Sequence, residues 1–391
     1  QEIFQKRGII MAFGIICEYN PFNNGHLRQI NEIKKLSDEP IICVMSGNFT
    51  QRGEIAITDK YSRAKMALCA GADAVLELPV PFSIASAEYF ASAGVHILNG
   101  AGVDKLCFGS ESADAEKIYK IAHIACSEEF KRECADISKK EGNAAANFDL
   151  LQLRSGEEGI LSNDILGIEY TKAIIKNNYP MQIYPIKREG SAYRDTELCA
   201  GELPSASAIR ETVKNGSLDD ISPYVPSPTL EILKSCELAD IRRIFDGMLL
   251  SLRLADAEGL QVAISDIGLV NRILALSREC TDLADLEAKL QTKKYTKSAI
   301  RRAMLYILLG VKRSDLNLLP THALLLGANA RGREYLAAVR KNEGGIKIVT
   351  RPTGAEPSDV AKRADALYTM CLENKRESGF YLKKSPVIIK E

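Results

Sequence analysis

The sequence predicts an α/β protein. A parallel sheet covered by helices on both faces precedes a mainly helical region and a small α/β C-terminal part. Three observations carry this expectation. Between residues 13 and 185, short apolar runs alternate with stretches of helical period, the pattern of parallel strands buried on both faces. The run Ser222-Pro223-Tyr224-Val225-Pro226-Ser227-Pro228 interrupts helix and strand alike. Beyond it, residues 229–313 are dominated by helical periods, and 320–391 return to mixed character. The expected organisation is an extension at 1–11, an α/β domain at 12–221 and a C-terminal region at 222–391. A chain of 391 residues has room for two or three domains.

The elements follow in order. Phe13–Cys17 is an apolar run of strand length, and the polar turn Glu18–His26 leads into a helix reaching about Lys35. Ile41–Met45 is a second strand, followed by the loop Ser46–Glu54. Asp59–Ala70 is helical, with Asp59 as N-cap. Ala74–Leu78 is a third strand, stopped by Pro79 and Pro81. Ser86–Asn99 is a helix of small residues and Lys105–Gly109 a fourth strand. Residues 113–140 read as one helix, Asp164–Lys176 as another, Met181–Pro185 as a fifth strand and Ser205–Asn215 as a helix. Ile241–Leu254 and Lys297–Leu309 show helical periods, and Ala323–Leu326 and Ile346–Val349 are further strands.

Composition excludes several classes. Hydrophobic residues make up 46% and charged residues 26%, which is neither disordered nor collagen-like. Ten cysteines are dispersed without a CxxC pair, the usage of reduced thiols in a cytoplasmic protein. The four histidines form no cluster with cysteines or carboxylates, so no metal site is expected. No apolar run is long enough to span a membrane. The sequence carries no mark of oligomeric state.

The 51 basic and 51 acidic residues cancel, but they are not evenly spread. Residues 254–287 hold seven acids and two bases, while 289–313 hold eight bases and no acid. Tyr295 lies among those bases as a stacking surface. Three readings stand: a solvated helix face, an RNA-binding surface, or a helix paired with the acidic one beside it. The RNA reading selects Lys293, Lys294, Lys297, Arg301 and Arg302.

Two turns carry candidate chemistry. A first strand that runs through a polar turn into a helix with Gly25-His26 at its start suits an anion. His26 there can donate to a phosphate and stabilise charge built up in attack on phosphorus. Ser205-Ala206-Ser207-Ala208-Ile209-Arg210 places two hydroxyls and a guanidinium at another helix start. It is either an ordinary N-cap or, with the His26 turn, a clamp for pyrophosphate. His96 and His123 read as structural, and Asp73 and Glu77 as loop or cap residues. Glu18 lies at the mouth of the site, where it could orient Asn20 or the neighbouring turn.

The paired turns resemble the HxGH and SxxxR-type signatures of the class I nucleotidyltransferase superfamily. The blocks EYNPFNNGH, SGNFTQRGE, GADAVLELP, FGSE, NDILGIEY, SASAIR, KKYTKSAIRRAMLYILLG and LLLGANARGREYL, spread over most of residues 12–370, are similar to the bacterial tRNA(Met) cytidine acetate ligases. The resemblance implies a Rossmann-like nucleotidyltransferase domain and a two-step, ATP-dependent reaction. Acetate attacks the α-phosphate of ATP, releasing pyrophosphate. The wobble cytidine amine of elongator tRNA(Met) then takes the acetyl group and AMP departs, leaving N4-acetylcytidine. By the same resemblance His26, Asn23, Ser207 and Arg210 are catalytic. ATP is held by Ile16, Cys17, Glu18, Tyr19, Asn20, Pro21, Phe22, Asn23, Asn24, Gly25, His26, Leu27, Arg28 and Gln29, with Gly109, Asn163 and Arg188. Mg²⁺ commonly accompanies ATP, yet no carboxylate pair marks a dedicated site.

This chain departs from the family's HNGH at Asn23, which can donate a hydrogen bond but cannot carry charge. Either transition-state stabilisation is weaker for it, or Lys60 or Arg63 compensates. Asn143-Ala144-Ala145-Ala146 also departs from the family. A small-molecule adenylyltransferase and a weakened, RNA-binding relative remain as alternatives.

Overall fold

The computed structural model describes residues 11–141, 144–188, 204–255, 262–264, 266–340, 345–352 and 358–390. The expected extension before Met11 lies outside them, as does Asn143.

Five parallel strands form the centre: β1 (Phe13–Cys17), β2 (Ile41–Ser46), β3 (Ala74–Leu78), β4 (Lys105–Ser110) and β5 (Gln182–Lys187). Helices α1 (Asn24–Leu36), α2 (Lys60–Cys69) and α3 (Ala87–Gly100) connect the first four. Four helices separate β4 from β5: α4 (Ala115–Cys126), α5 (Glu128–Glu141), α6 (Ala144–Ser155) and α7 (Ser162–Lys176). The single helix expected over 113–140 is therefore two. The break falls at Ser127, whose Oγ accepts from the Phe130 N–H, as a capping hydroxyl does.

After β5 come α8 (Ala206–Asn215) and α9 (Ser227–Ser235). The proline run does not exclude helix throughout. Pro228 falls in the first turn of α9, where a missing N–H costs nothing. Next are α10 (Phe245–Leu254), α11 (Ile267–Ser277), α12 (Leu283–Leu290) and α13 (Lys297–Leu309). The chain closes with α14 (Arg313–Asn317), β6 (His322–Ala328), α15 (Ala330–Val339), β7 (Lys347–Val349), α16 (Asp359–Met370) and β8 (Val387–Ile388).

The C-terminal strands build no sheet of their own. The strand order is β5-β4-β1-β2-β3-β6-β7, with β8 beside β6. Strand β6 runs antiparallel to β3. Asp73 anchors this junction: its carboxylate accepts from Ile41 N–H and Asn329 Nδ2, and its carbonyl accepts from Asn329 N–H. Gly332 allows the approach, since a Cβ there would lie 2.0 Å from the Asp73 carbonyl oxygen.

The hydrophobic interior has two parts. The larger surrounds the sheet and includes residues from both ends of the chain, Phe13 and Tyr381 among them. The smaller lies within α10–α13, around Leu252, Ile273, Leu286 and Ile300. Helix α13 joins them: Leu305 and Leu309 belong to the first, Ile300 and Met304 to the second. A helix apolar on two faces is buried between two bodies. The region expected at 222–391 thus divides into a helical body and a part that completes the sheet.

Two expected bystanders have structural partners. His96 contacts the Tyr179 hydroxyl at 2.8 Å and the Pro320 carbonyl at 3.1 Å. Glu77 pairs with Lys60 at 2.8 Å. No described helix is long and apolar enough to cross a membrane.

Candidate active site

A cleft of about 430 Å³ lies at the C-terminal ends of β1, β4 and β5, where open α/β sheets bind their ligands. Helices α1 and α8 both start at its edge.

Asn23 is the N-cap of α1. Its Oδ1 accepts from the His26 N–H at 3.1 Å, and the His26 Nδ1 accepts from the Asn23 N–H at 3.1 Å. This is a reciprocal capping box. It satisfies two helix-end donors and also fixes the imidazole. With Nδ1 accepting, a neutral ring carries its proton on Nε2. The ring packs against Tyr19 and Phe22, with centroids 4.9 and 5.5 Å away. Burial pushes its pKa down to about 3, and the charge of Arg188 adds to the shift. His26 is therefore a neutral donor in the free protein.

A second group lies at the ends of β4 and β5 and the start of α7. Arg188 donates to the Asn163 Oδ1 at 2.9 Å. Gly109 leaves room for this arginine, because a Cβ would sit 3.0 Å from its Cγ. Asn163 is held from behind by Glu111, which accepts from its backbone N–H at 3.1 Å.

The third group is the start of α8. Ser205 caps the helix by accepting from the Ala208 N–H at 3.1 Å. Arg210 donates to the Asn20 carbonyl at 2.9 Å, the Ser207 hydroxyl at 3.1 Å and Glu54 at 2.7 Å. The cap and clamp readings of this segment are compatible, because different side chains serve them. Glu54 also pairs with Arg301. Burial would raise the Glu54 pKa, but Arg210, Arg301 and Arg52 together hold it below the usual value.

Most of the expected residues line one cleft: Ile16 to Asn20, Asn23, Gly25, His26, Arg28, Gln29, Gly109, Asn163, Arg188, Ser207 and Arg210. Four members of the expected ATP run do not line it. Pro21 and Phe22 are buried, Leu27 packs on the core, and Asn24 donates to the Pro223 carbonyl at 2.9 Å. A turn entering a helix can aim only some of its side chains at one ligand.

The expected compensation for Asn23 is not available. Lys60 is sequestered between Glu77 and Asp365, each at 2.8 Å. Arg63 is fully buried and donates to the carbonyls of Thr58, Glu18 and Gly47. Neither reaches the cleft lining.

The basic segment also differs from expectation. Arg301 pairs with Glu287 at 2.6 Å as well as with Glu54. Arg302 donates to the Gln51 carbonyl at 3.2 Å. Both turn inward, toward the loop beside the cleft. Lys289 pairs with Asp285 and Lys294 with Asp266. Tyr295 gives its hydroxyl to Asp266 at 3.0 Å. The acidic stretch thus neutralises part of the run, as expected of neighbouring helices. Among the described residues, Lys293 and Lys297 are exposed and have no ion-pair partner.

Gln51, Arg52, Phe90, Phe108, Tyr170 and Lys187 also line the cleft. Gln51 and Arg52 stand in the SGNFTQRGE block, where the resemblance already pointed. Phe108 stands in the FGSE block and Tyr170 in NDILGIEY, while Phe90 in α3 and Lys187 in β5 lie in none of the blocks, and no local pattern marks them. Among the described residues, no group of three His, Cys, Asp or Glu side chains could hold a metal ion.

Comparison with known proteins places these features in context. The HIGH Nucleotidyl Transferase family matches residues 10–380. A tRNA(Met) cytidine acetate ligase of Caldicellulosiruptor saccharolyticus is 36% identical over 87% of this chain and 87% of its own. One from Acetivibrio thermocellus is 36% identical over 93% of this chain and 95% of its own. The crystal structure of apo Thermotoga maritima TmcAL matches with a TM-score of 0.90 at 28% identity, covering 97% of this chain and 100% of that one. The same protein bound with alpha-thio ATP matches with a TM-score of 0.87 at 27% identity, over the same shares.

Proposed function

This chain belongs to the tRNA(Met) cytidine acetate ligase family of HIGH nucleotidyl transferases, and from that membership we propose how its cleft activates acetate and passes it to RNA. ATP lies across the cleft, with its nucleoside toward Gly109, Asn163 and Arg188 and its phosphates toward α1 and α8. An acetate oxygen attacks the α-phosphorus. The bond to the β-phosphate oxygen breaks, and its electron pair leaves with pyrophosphate. His26 Nε2–H donates to the α-phosphate as charge builds there, while Arg210 and Ser207 receive the leaving group. Mg²⁺ would arrive with the phosphates and neutralise part of their charge. The observation that carries this reading is the Asn23–His26 box, which leaves one protonated ring nitrogen on a side chain lining the cleft.

The direct test supplies protein, ATP, labelled acetate and elongator tRNA(Met). Label is expected on a cytidine of the tRNA, with AMP and pyrophosphate as co-products. A complete lack of labelled tRNA beside a working control enzyme would overturn the reading.

For the RNA we propose contacts at Lys293, Lys294 and Lys297, three exposed lysines of the basic run. Reversing Lys293 and Lys297 to Glu is expected to weaken tRNA binding about tenfold or more at moderate salt. The slope of log affinity against log salt should become shallower by about one for each lysine lost. Filter binding over a salt series measures both. An unchanged slope would remove these lysines from the interface.

A further inference from the structure

The transfer step needs a group that the activation step does not. An amine attacking an acyl carbon gains positive charge and must lose a proton before the amide is stable. His26 is ill suited to take it, since Nδ1 is occupied by the Asn23 N–H and Nε2 already carries hydrogen. The lysine ammonium and the arginine guanidinium groups of the lining are hydrogen-bond donors with no acceptor atom. Among the described residues lining the cleft, Glu18 is the one carboxylate.

Its setting is that of a positioned base. Glu18 follows directly on β1, and Arg63 holds its backbone by donating to the Glu18 carbonyl at 2.6 Å. The side chain is anchored at one oxygen, where Oε1 accepts from the Gln51 N–H at 2.7 Å. Oε2 has no hydrogen-bond partner among the described residues. The loop that supplies Gln51 is itself fixed, by Arg302 at the Gln51 carbonyl and by Arg210 and Arg301 at Glu54. Burial pushes the Glu18 carboxyl up; the Gln51 N–H, Arg52 and Arg210 pull it down, and Glu54 adds to the rise. Arg63 and Tyr170 also face its charge, and burial pushes the Tyr170 hydroxyl up, so that it stays protonated.

We propose that Glu18 is the proton acceptor of the second step, a role that rests on the reaction proposed above. The cytidine amine nitrogen forms its bond to the acetyl carbon. The bond from that carbon to the AMP oxygen breaks, and the electron pair leaves with AMP. The amine proton passes to Oε2 of Glu18 and from there to water. No oxidant, reductant or further reactant is required.

Glu18→Gln is a clean probe, because the amide oxygen can still accept from Gln51 N–H but the side chain can no longer take a proton. Two rates are measured in parallel: acetyl transfer to elongator tRNA(Met) in a single turnover, and acetate-dependent exchange of pyrophosphate into ATP. Transfer is expected to fall by about 100-fold or more, the usual range for a lost general base, and at least about tenfold further than exchange falls, because Glu18 also borders the ATP site. Wild-type transfer should slow on the acid side as Glu18 is protonated, and this limb should vanish in the Gln variant. Glu18→Asp keeps a carboxylate and should recover part of the rate. If the two rates fall in parallel, or transfer by Glu18→Gln stays within about fivefold of wild type, the proposal is overturned. If Glu18→Gln does not fold, an Asp variant that transfers without an acid limb overturns it equally. A wild-type protein that exchanges pyrophosphate but acetylates no tRNA would instead remove the underlying reaction.

Discussion

Replacing His26 with Ala is expected to slow acetate-dependent pyrophosphate exchange by about 10²–10³-fold, the usual loss for one donor to a developing oxyanion. The fall should appear mainly in kcat, because the donor acts most strongly as charge accumulates on the α-phosphate. Stability should change much less. The substitution removes one half of a capping box, worth about 1 kcal/mol, and leaves the Asn23 side chain on the His26 N–H. The neutral state of this histidine has its own signature. With a pKa near 3 in the free protein, its ring should show no titration by NMR between about pH 5 and 8, the range in which an ordinary histidine changes charge. There are four histidines in the chain, so a His26→Gln sample assigns the signal. A His26 resonance that titrates near 6.5 would contradict the ring-packed, capped geometry.

Lys60→Met is expected to cost about 3–5 kcal/mol of folding stability, because it strands two buried carboxylates. Lys60 is 2% exposed, and its ammonium lies 2.8 Å from both Glu77 and Asp365. Asn48 completes the cluster, accepting from the Lys60 N–H and donating to Asp365 at 2.9 Å each. The group fastens α16, near the C-terminus, to β3 and α2. Urea unfolding measures the loss. Burial already raises the pKa of Glu77, and without Lys60 the cheapest response is for it to bind a proton. A group whose folded pKa lies above its unfolded value loses its contribution as pH rises. The variant should therefore be destabilised more at pH 8 than at pH 5. Neutralising all three residues together, as Lys60→Met with Glu77→Gln and Asp365→Asn, should recover at least half of the loss. A single variant losing less than about 1 kcal/mol at pH 8 would show that the cluster is not bound by charge.

These two residues also mark what can be read from sequence. His26 was visible because its chemistry is local: a strand, a turn with Gly25 and a helix start lie within a few residues, and the backbone itself supplies the anion site. Lys60 reads in the sequence as a charge able to compensate Asn23, and the structure overturns this by pairing it with Glu77 and Asp365. Its partners lie 17 and 305 positions away in the chain, and nothing near it in sequence announces them. Arg301 and Arg302 repeat the lesson. Their basic neighbours suggest an exposed face, yet Glu54 and the Gln51 carbonyl, some 250 residues earlier, draw both inward. Asn23 shows a third case. As a substitute for histidine it loses the option of positive charge, but as an N-cap it is among the best residues available.

By itself the sequence determined the α/β class, the five parallel strands, the helical stretch beyond them and the two turns that border the cleft. All of these depend on periodicity, caps and short-range backbone geometry. Only the tertiary structure decided that the final strands extend the first sheet, that Glu54 joins Arg210 to Arg301, and that among the described residues Glu18 is the carboxylate lining the cleft. Those outcomes depend on which distant charges and apolar faces meet once water is excluded. A buried charge must find a partner wherever the chain supplies one, and sequence distance plays no part in that requirement.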